Sequence, residues 1–146
     1  MGITKVLARE WVVSINTGTY VAPVWKEIKG LNTLTFSSGK NDADTTDFNS
    51  EGYEEHIVAS RNAELSIEGL YMEDPSDGTR DPGQEAVEAL AELMGNDSLG
   101  DFKLISPGGA GKRFYASAEI GDVGGGNDDA TSWSATLKRS GYSVII

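Results

Sequence analysis

The chain contains no cysteine and a single histidine, His56. The first absence excludes disulfides and thiolate metal sites, and it suits a reducing compartment. The second excludes a metal site built on paired imidazoles. It also confines any Ser-His-Asp triad to His56, which has no nucleophile elbow beside it. Bases are scarce too: 12 Lys and Arg stand against 23 Asp and Glu, giving a net charge of −11. Such a field repels nucleic-acid phosphates and anionic lipid, so tight binding to either is not expected. No apolar run approaches the roughly 18–20 residues that span a bilayer. The first residues lack a basic-then-apolar leader pattern. Met1-Gly2-Ile3-Thr4-Lys5-Val6 begins like a myristoylation signal, but Val6 stands where Ser or Thr is required. No membrane anchor is expected.

What is present suits one globular domain, residues 1–146, with 38% hydrophobic residues. A chain of this size buries roughly 68–70% of the surface it exposes when unfolded, enough for a core without staples. Period-two alternation marks the strands. Glu10 to Asn16 puts Trp11, Val13 and Ile15 on one face. Val24 to Phe36 reads as one long strand or two joined at Gly30, where a bulge or kink is expected. Ala63 to Tyr71 alternates most clearly, with Ala63, Leu65 and Ile67 against Glu64, Ser66 and Glu68. Phe102–Ser106, Arg113–Ile120 and Ser132–Arg139 follow, and the apolar end Tyr142–Ile146 is expected to dock. Gly121–Asn127 reads as a Gly-rich loop.

One helix is expected after Asp81. Asp81 suits the N-cap, Pro82 the first turn, and Gln84 the third position of a capping box. Val87, Leu90 and Met94 form its apolar stripe, and Gly95 is expected to end it. Strands in succession without intervening helices argue for antiparallel pairing. The expected fold is therefore mainly β: an antiparallel β-sandwich or barrel of two sheets with one flanking α-helix.

Between two strand patterns lies an acidic stretch, Gly39 to Ser60. Asp42, Asp44, Asp47, Glu51, Glu54 and Glu55 oppose a single base, Lys40. Loops longer than about 12–15 residues are uncommon in compact domains and are usually functional or disordered. This one also carries Phe48, Tyr53, Ile57 and Val58. A polar segment with aromatic anchors can fold against a partner chain. Residues 39–60 are therefore read as an assembly loop, disordered in the monomer, whose candidate inter-subunit residues are the six acids with Phe48 and Tyr53.

No catalytic, metal or cofactor site is expected. Gly108-Gly109-Ala110-Gly111-Lys112-Arg113 invites comparison with a phosphate loop. However, Ser106 stands where the first Gly belongs, and Arg113 where Ser or Thr must follow the lysine. Asp42-x-Asp44-x-Thr46 opens like a calcium loop, but the sixth position is Asp47 rather than Gly and the twelfth Tyr53 rather than Glu. Trp11, Trp25 and Trp133 are read as packing residues, with an aromatic sugar-binding platform as the alternative.

The order of elements, with Trp25-Lys26-Glu27-Ile28-Lys29-Gly30-Leu31, Glu64-Leu65-Ser66-Ile67-Glu68-Gly69 and the closing Trp133-to-Tyr142 segment, resembles the tail tube (major tail) proteins of long-tailed bacteriophages. The resemblance covers about Glu10 to Ile146. It implies a structural virion protein that self-assembles into hexameric rings, stacked as a conduit for DNA. The long loop would reach a neighbouring subunit or ring. Tape-measure, tail-terminator and baseplate or tip proteins would be its further partners, with assembly in the host cytoplasm. An acidic bore would repel passing phosphates, and Glu64, Glu68 and Glu119 are the candidates to face the lumen or solvent. A type VI secretion-like tube or a head–tail joining protein is the nearest alternative. A monomeric β-sandwich that binds a ligand such as a glycan is a second. An enzyme is a third, without a motif to support it.

Overall fold

The computed structural model describes residues 2–146. Nine strands and one α-helix follow in order: β1 (Val12–Asn16), β2 (Trp25–Glu27), β3 (Leu31–Asp44), β4 (His56–Leu70), β5 (Glu73–Asp74), β6 (Thr79–Arg80), α1 (Pro82–Ala91), β7 (Leu99–Ile105), β8 (Gly111–Ile120) and β9 (Ser132–Ile145). Seven strands form one sheet in the order β2-β1-β7-β8-β9-β4-β3, and β5 and β6 pair as a small ribbon. Every pairing is antiparallel. The fold is mainly β with one helix, as expected. The walls of the sandwich, however, belong to one continuous sheet, and the second sheet is only the 73–80 ribbon.

The sheet is curled. β3 lies three strands from β8, a span of about 14 Å in a flat sheet. Yet Phe36 on β3 meets Phe114 on β8 edge to face, with ring centroids 5.9 Å apart. The two edge strands, β2 and β3, are consecutive in sequence and joined only by Ile28-Lys29-Gly30, so the edges come together there. Gly30 makes the junction with φ +82°, a region that favours glycine. Its carbonyl accepts from Leu70 N–H at 2.8 Å, and Ile28 N–H donates to the Val13 carbonyl at 2.9 Å. Gly69 is required where β4 passes this junction: a Cβ there would lie 2.1 Å from the Gly30 oxygen.

The concave face holds the core. Val13, Leu65, Ile67, Phe102, Phe114, Trp133 and Leu137 are buried there. Burying one such side chain is worth roughly 1.5–3 kcal/mol. Helix α1 packs on β8, β2 and β1 and closes one end of the curl, with Val87 buried beneath it. Asp81 caps the helix as expected, accepting from Gln84 N–H at 3.1 Å. The Gln84 side chain does not complete a capping box. It turns inward, donates to the carbonyls of Lys29 (2.9 Å) and Leu70 (2.8 Å), and accepts from Met72 N–H. It is fully buried and ties the helix to the β2–β3 junction and to the end of β4. The helix ends at Ala91, before the expected stop at Gly95, and Met94 lies exposed rather than in the apolar stripe.

Candidate assembly surfaces

Only the middle of residues 39–60 is a loop, 45–55; the flanks 39–44 and 56–60 belong to β3 and β4. β3 and β4 stay paired from Leu31↔Gly69 out to Asp44↔His56, with irregularities between Leu31 and Thr33 and between Asn41 and Asp42, so the acidic stretch is the far part of a long hairpin. The expected disorder is replaced by a paired ribbon. Both faces of that ribbon are solvated: His56 through Asn62 are all exposed. That is why no alternation marked it as strand.

The tip is ordered by its own hydrogen bonds. Thr45 N–H donates to the Glu55 carbonyl, and Glu55 N–H to Thr46 Oγ1. Asp44 accepts from Thr46 N–H at 2.9 Å. That bond holds the Asp44 carboxyl below its ordinary value. Asp47 and Ser50 form a reciprocal capping box around a 3-10 turn, Phe48–Ser50. Glu51 follows with φ 55° and Gly52 with φ 83°, both left-handed. Glu51 is the one non-glycine in that region among the described residues, and such conformations cluster at functional sites. This frame presents Phe48 wholly to solvent, with Tyr53 exposed nearby. Asp42, the tip acids Asp47, Glu51, Glu54 and Glu55, and Asp44 are all exposed or half-exposed along the same arm. The structure thus brings the expected inter-subunit residues together. Asp42 lies 3.8 Å from His56 Nε2, and Asp44 is engaged with Thr46.

The end of the curl opposite α1 is open. A cleft of about 480 Å³ lies there, lined by Trp11, Leu34, Phe36, Leu104 and Ile145 among others. The concave positions of the strands turn from apolar to basic as they reach this end. Phe36 and Ser38 are followed by Lys40, Leu65 and Ala63 are preceded by Arg61, Leu137 is followed by Arg139, and Phe114 is preceded by Lys112. Lys40 and Arg61 are directly paired across β3 and β4. Lys112 Nζ lies 4.4 Å from the centre of the Phe36 ring. Arg139 donates to Ser143 Oγ, while its Nε is buried without a partner. This basic rim was missed by the sequence reading. Its signal is there: each base continues the inward parity of a core strand.

On the convex face, Glu64, Glu68 and Glu119 are exposed and share one side of the sheet, as their alternation implied. Their cross-strand neighbours are Lys138, Ser134 and Thr136 respectively. At the β1–β2–β7 side the same face is covered instead. Arg113 and Asp101 form an ion pair, with Arg113 Nε 3.0 Å from a carboxylate oxygen, and Asn16 donates to the same Asp101. Arg113 stacks on Tyr20 and Trp25, and Lys103 on Trp25. This cover buries Ser14 from the polar side. The hydrogen bond to Asp101 and its charge raise the Arg113 pKa, against a smaller opposing effect of burial.

The remaining motifs fall into structural places. Gly108 to Gly111 closes the β7–β8 hairpin, where Ser106 N–H donates to the Ala110 carbonyl. Trp133 is buried in the core, Trp11 lines the open end, and Trp25 lies on the convex face. The three tryptophans therefore form no single platform. The C-terminal segment pairs with β8, Lys112 against Ile145, so its backbone docks while Tyr142 and Ile145 stay exposed. No helix is long and apolar enough to cross a membrane among the described residues.

No family model matches the chain, and no curated protein sequence matches it. Solved structures do. The tail of an empty gene transfer agent particle, refined helically with C6 symmetry, aligns with TM-score 0.71 at 16% identity, over 97% of this chain and 99% of that one. A chain of the native gene transfer agent virion aligns with TM-score 0.68 at 16% identity and the same coverage. A chain of the six-fold symmetrised anti-feeding prophage baseplate aligns with TM-score 0.61 at 10% identity, over 99% of this chain and 97% of that one. The chain has the fold of these tail and baseplate subunits, a tail-tube-like fold, from one end to the other.

Proposed function

We propose that this chain is a structural, non-enzymatic tail protein that self-assembles into six-membered rings, stacked into a tube that conducts DNA. The observation that carries the reading is the hairpin arm. It is an ordered ribbon whose capped tip holds an aromatic ring in water and which packs on no other element among the described residues. Isolated two-stranded ribbons are marginal in water, so an arm of this length is explained by a second surface that receives it. The full-length likeness to a tail solved under six-fold symmetry supports the same reading.

On this reading the polar convex face is the bore. Glu64, Glu68 and Glu119 stand on it among Ser and Thr side chains and one base, Lys138, and a surface whose acids outnumber its bases in this way repels phosphate and lets DNA slide. The first partner is a second copy; tape-measure, terminator and baseplate or tip proteins follow, with assembly in the host cytoplasm and the virion as destination. The likeness to a baseplate chain favours one second reading, a ring that joins tail components without polymerising. Sedimentation over a concentration series tests the proposal. The full chain should form rings or longer species. A variant with residues 45–55 replaced by Asn-Gly should stay monomeric and folded. Polymers formed without the arm would refute its role.

A further inference from the structure

We propose that the open end of one copy is the receptor for the hairpin tip of another: Phe48 seats in the apolar cleft, and the tip acids lie against the basic rim. The inference rests on the self-assembly reading above and identifies the surface that receives the arm.

Three observations carry it. The first is that the tip cannot serve its own cleft. Phe36 lines the cleft, and Asp44 at the base of the tip lies eight residues further along the same strand. At about 3.3 Å per residue the ribbon carries the tip roughly 26 Å away, and a paired ribbon does not fold back. The second is size and chemistry. The cleft of about 480 Å³ exceeds the volume of a phenylalanine side chain, and its walls are Trp11, Leu34, Phe36, Leu104 and Ile145. Phe48 is wholly exposed on a frame already fixed by Asp47 and Ser50, so little ordering is lost on docking.

The third is charge. The chain carries −11 overall, which opposes association of identical copies unless opposite charges meet locally. Lys40, Arg61, Lys112 and Arg139 gather four of its 12 bases at the open end. From Asn41 to Ser60 there are six acids and no Lys or Arg. Tip and cleft are different surfaces, so each copy gives one and receives one. Such heterologous contacts close into rings or run on as helices.

Because the chain has no cysteine, a designed pair reports this contact without background. Phe48→Cys with Ile145→Cys places one thiol at the tip and one at the cleft, both at exposed positions. Oxidised assemblies should give a ladder of covalent multimers on a denaturing gel, whereas either single variant stops at dimers. Phe48→Ala should raise the concentration needed for assembly roughly 10- to 100-fold, with unchanged thermal unfolding of the monomer. Assemblies visible by microscopy whose double variant stays monomeric on the gel would overturn the receptor assignment and leave self-assembly standing. A wild-type chain that forms no assembly at any concentration would overturn both.

Discussion

Gln84→Ala should be among the most damaging single substitutions outside the large apolar core. The Gln84 amide is fully buried and makes three hydrogen bonds, to the carbonyls of Lys29 and Leu70 and from the N–H of Met72. A net hydrogen bond contributes about 1 kcal/mol, and a polar group left buried without a partner costs about 1–3 kcal/mol. Truncation removes three bonds together, and water entering beside the helix recovers part of the loss, so the expected cost is about 3 kcal/mol. For a chain of this size that lowers the Tm by about 6–12 °C. Gln84→Leu keeps most of the volume and loses the same bonds, so it should cost nearly as much. Equilibrium urea unfolding followed by tryptophan fluorescence, with Trp133 in the core, measures the effect. The m-value should not change, because the same surface is exposed on unfolding. A loss below about 1 kcal/mol for both variants would show that Gln84 does not hold the junction of the sheet edges, and the reasoning would fail.

Asp101→Ala leaves Arg113 without its main partner beneath Tyr20 and Trp25, and should cost about 2–4 kcal/mol, discounted for the partial exposure of Arg113. Removing both charges, Asp101→Leu with Arg113→Leu, should recover part of that; a double variant as damaged as the sum of the singles would contradict the pairing. Gly69→Ala drives a Cβ onto the Gly30 carbonyl oxygen and should cost several kcal/mol, about 3 or more, read as a fall in Tm with loss of the soluble yield. Asp44 titrates below its ordinary value because it accepts from Thr46 N–H and its hydroxyl. A depressed carboxyl stabilises the folded tip above the unfolded pKa and loses that contribution as pH falls through the folded one. The Thr46 amide resonance should therefore titrate with a midpoint below 3.8; a midpoint at or above that value would mean the bond is absent in solution.

Much of this fold is written in alternation. The second half of β4, β8 and the first half of β9 each bury one parity, and Leu65, Ile67, Trp133 and Leu137 were legible as core because their neighbours are polar. Gln84 was legible as a helix-start residue but not as a buried strut, since its partners lie in segments 12 or more positions away. β9 continues to Ile145 past Gly141, where a positive φ and a shift in pairing with β8 interrupt the pattern. The ribbon at 73–80 was hidden by its polar residues. The arm was hidden for a stronger physical reason: with both faces in water, nothing selects a period of two, so Asp42 and His56 read as loop although they belong to paired strands. The open end is assembled from four strands distant in sequence. Lys40, Arg61, Lys112 and Arg139 become one rim only when the strand order is known.

The central claim is that the ordered arm and the open end of this fold exist to join copies of the chain. Negative-stain electron microscopy of the purified protein at high concentration tests it most directly. Hollow rings with six-fold averages, alone or stacked into tubes, are the predicted result. A field of small single particles at every concentration, with the arm intact, would contradict it.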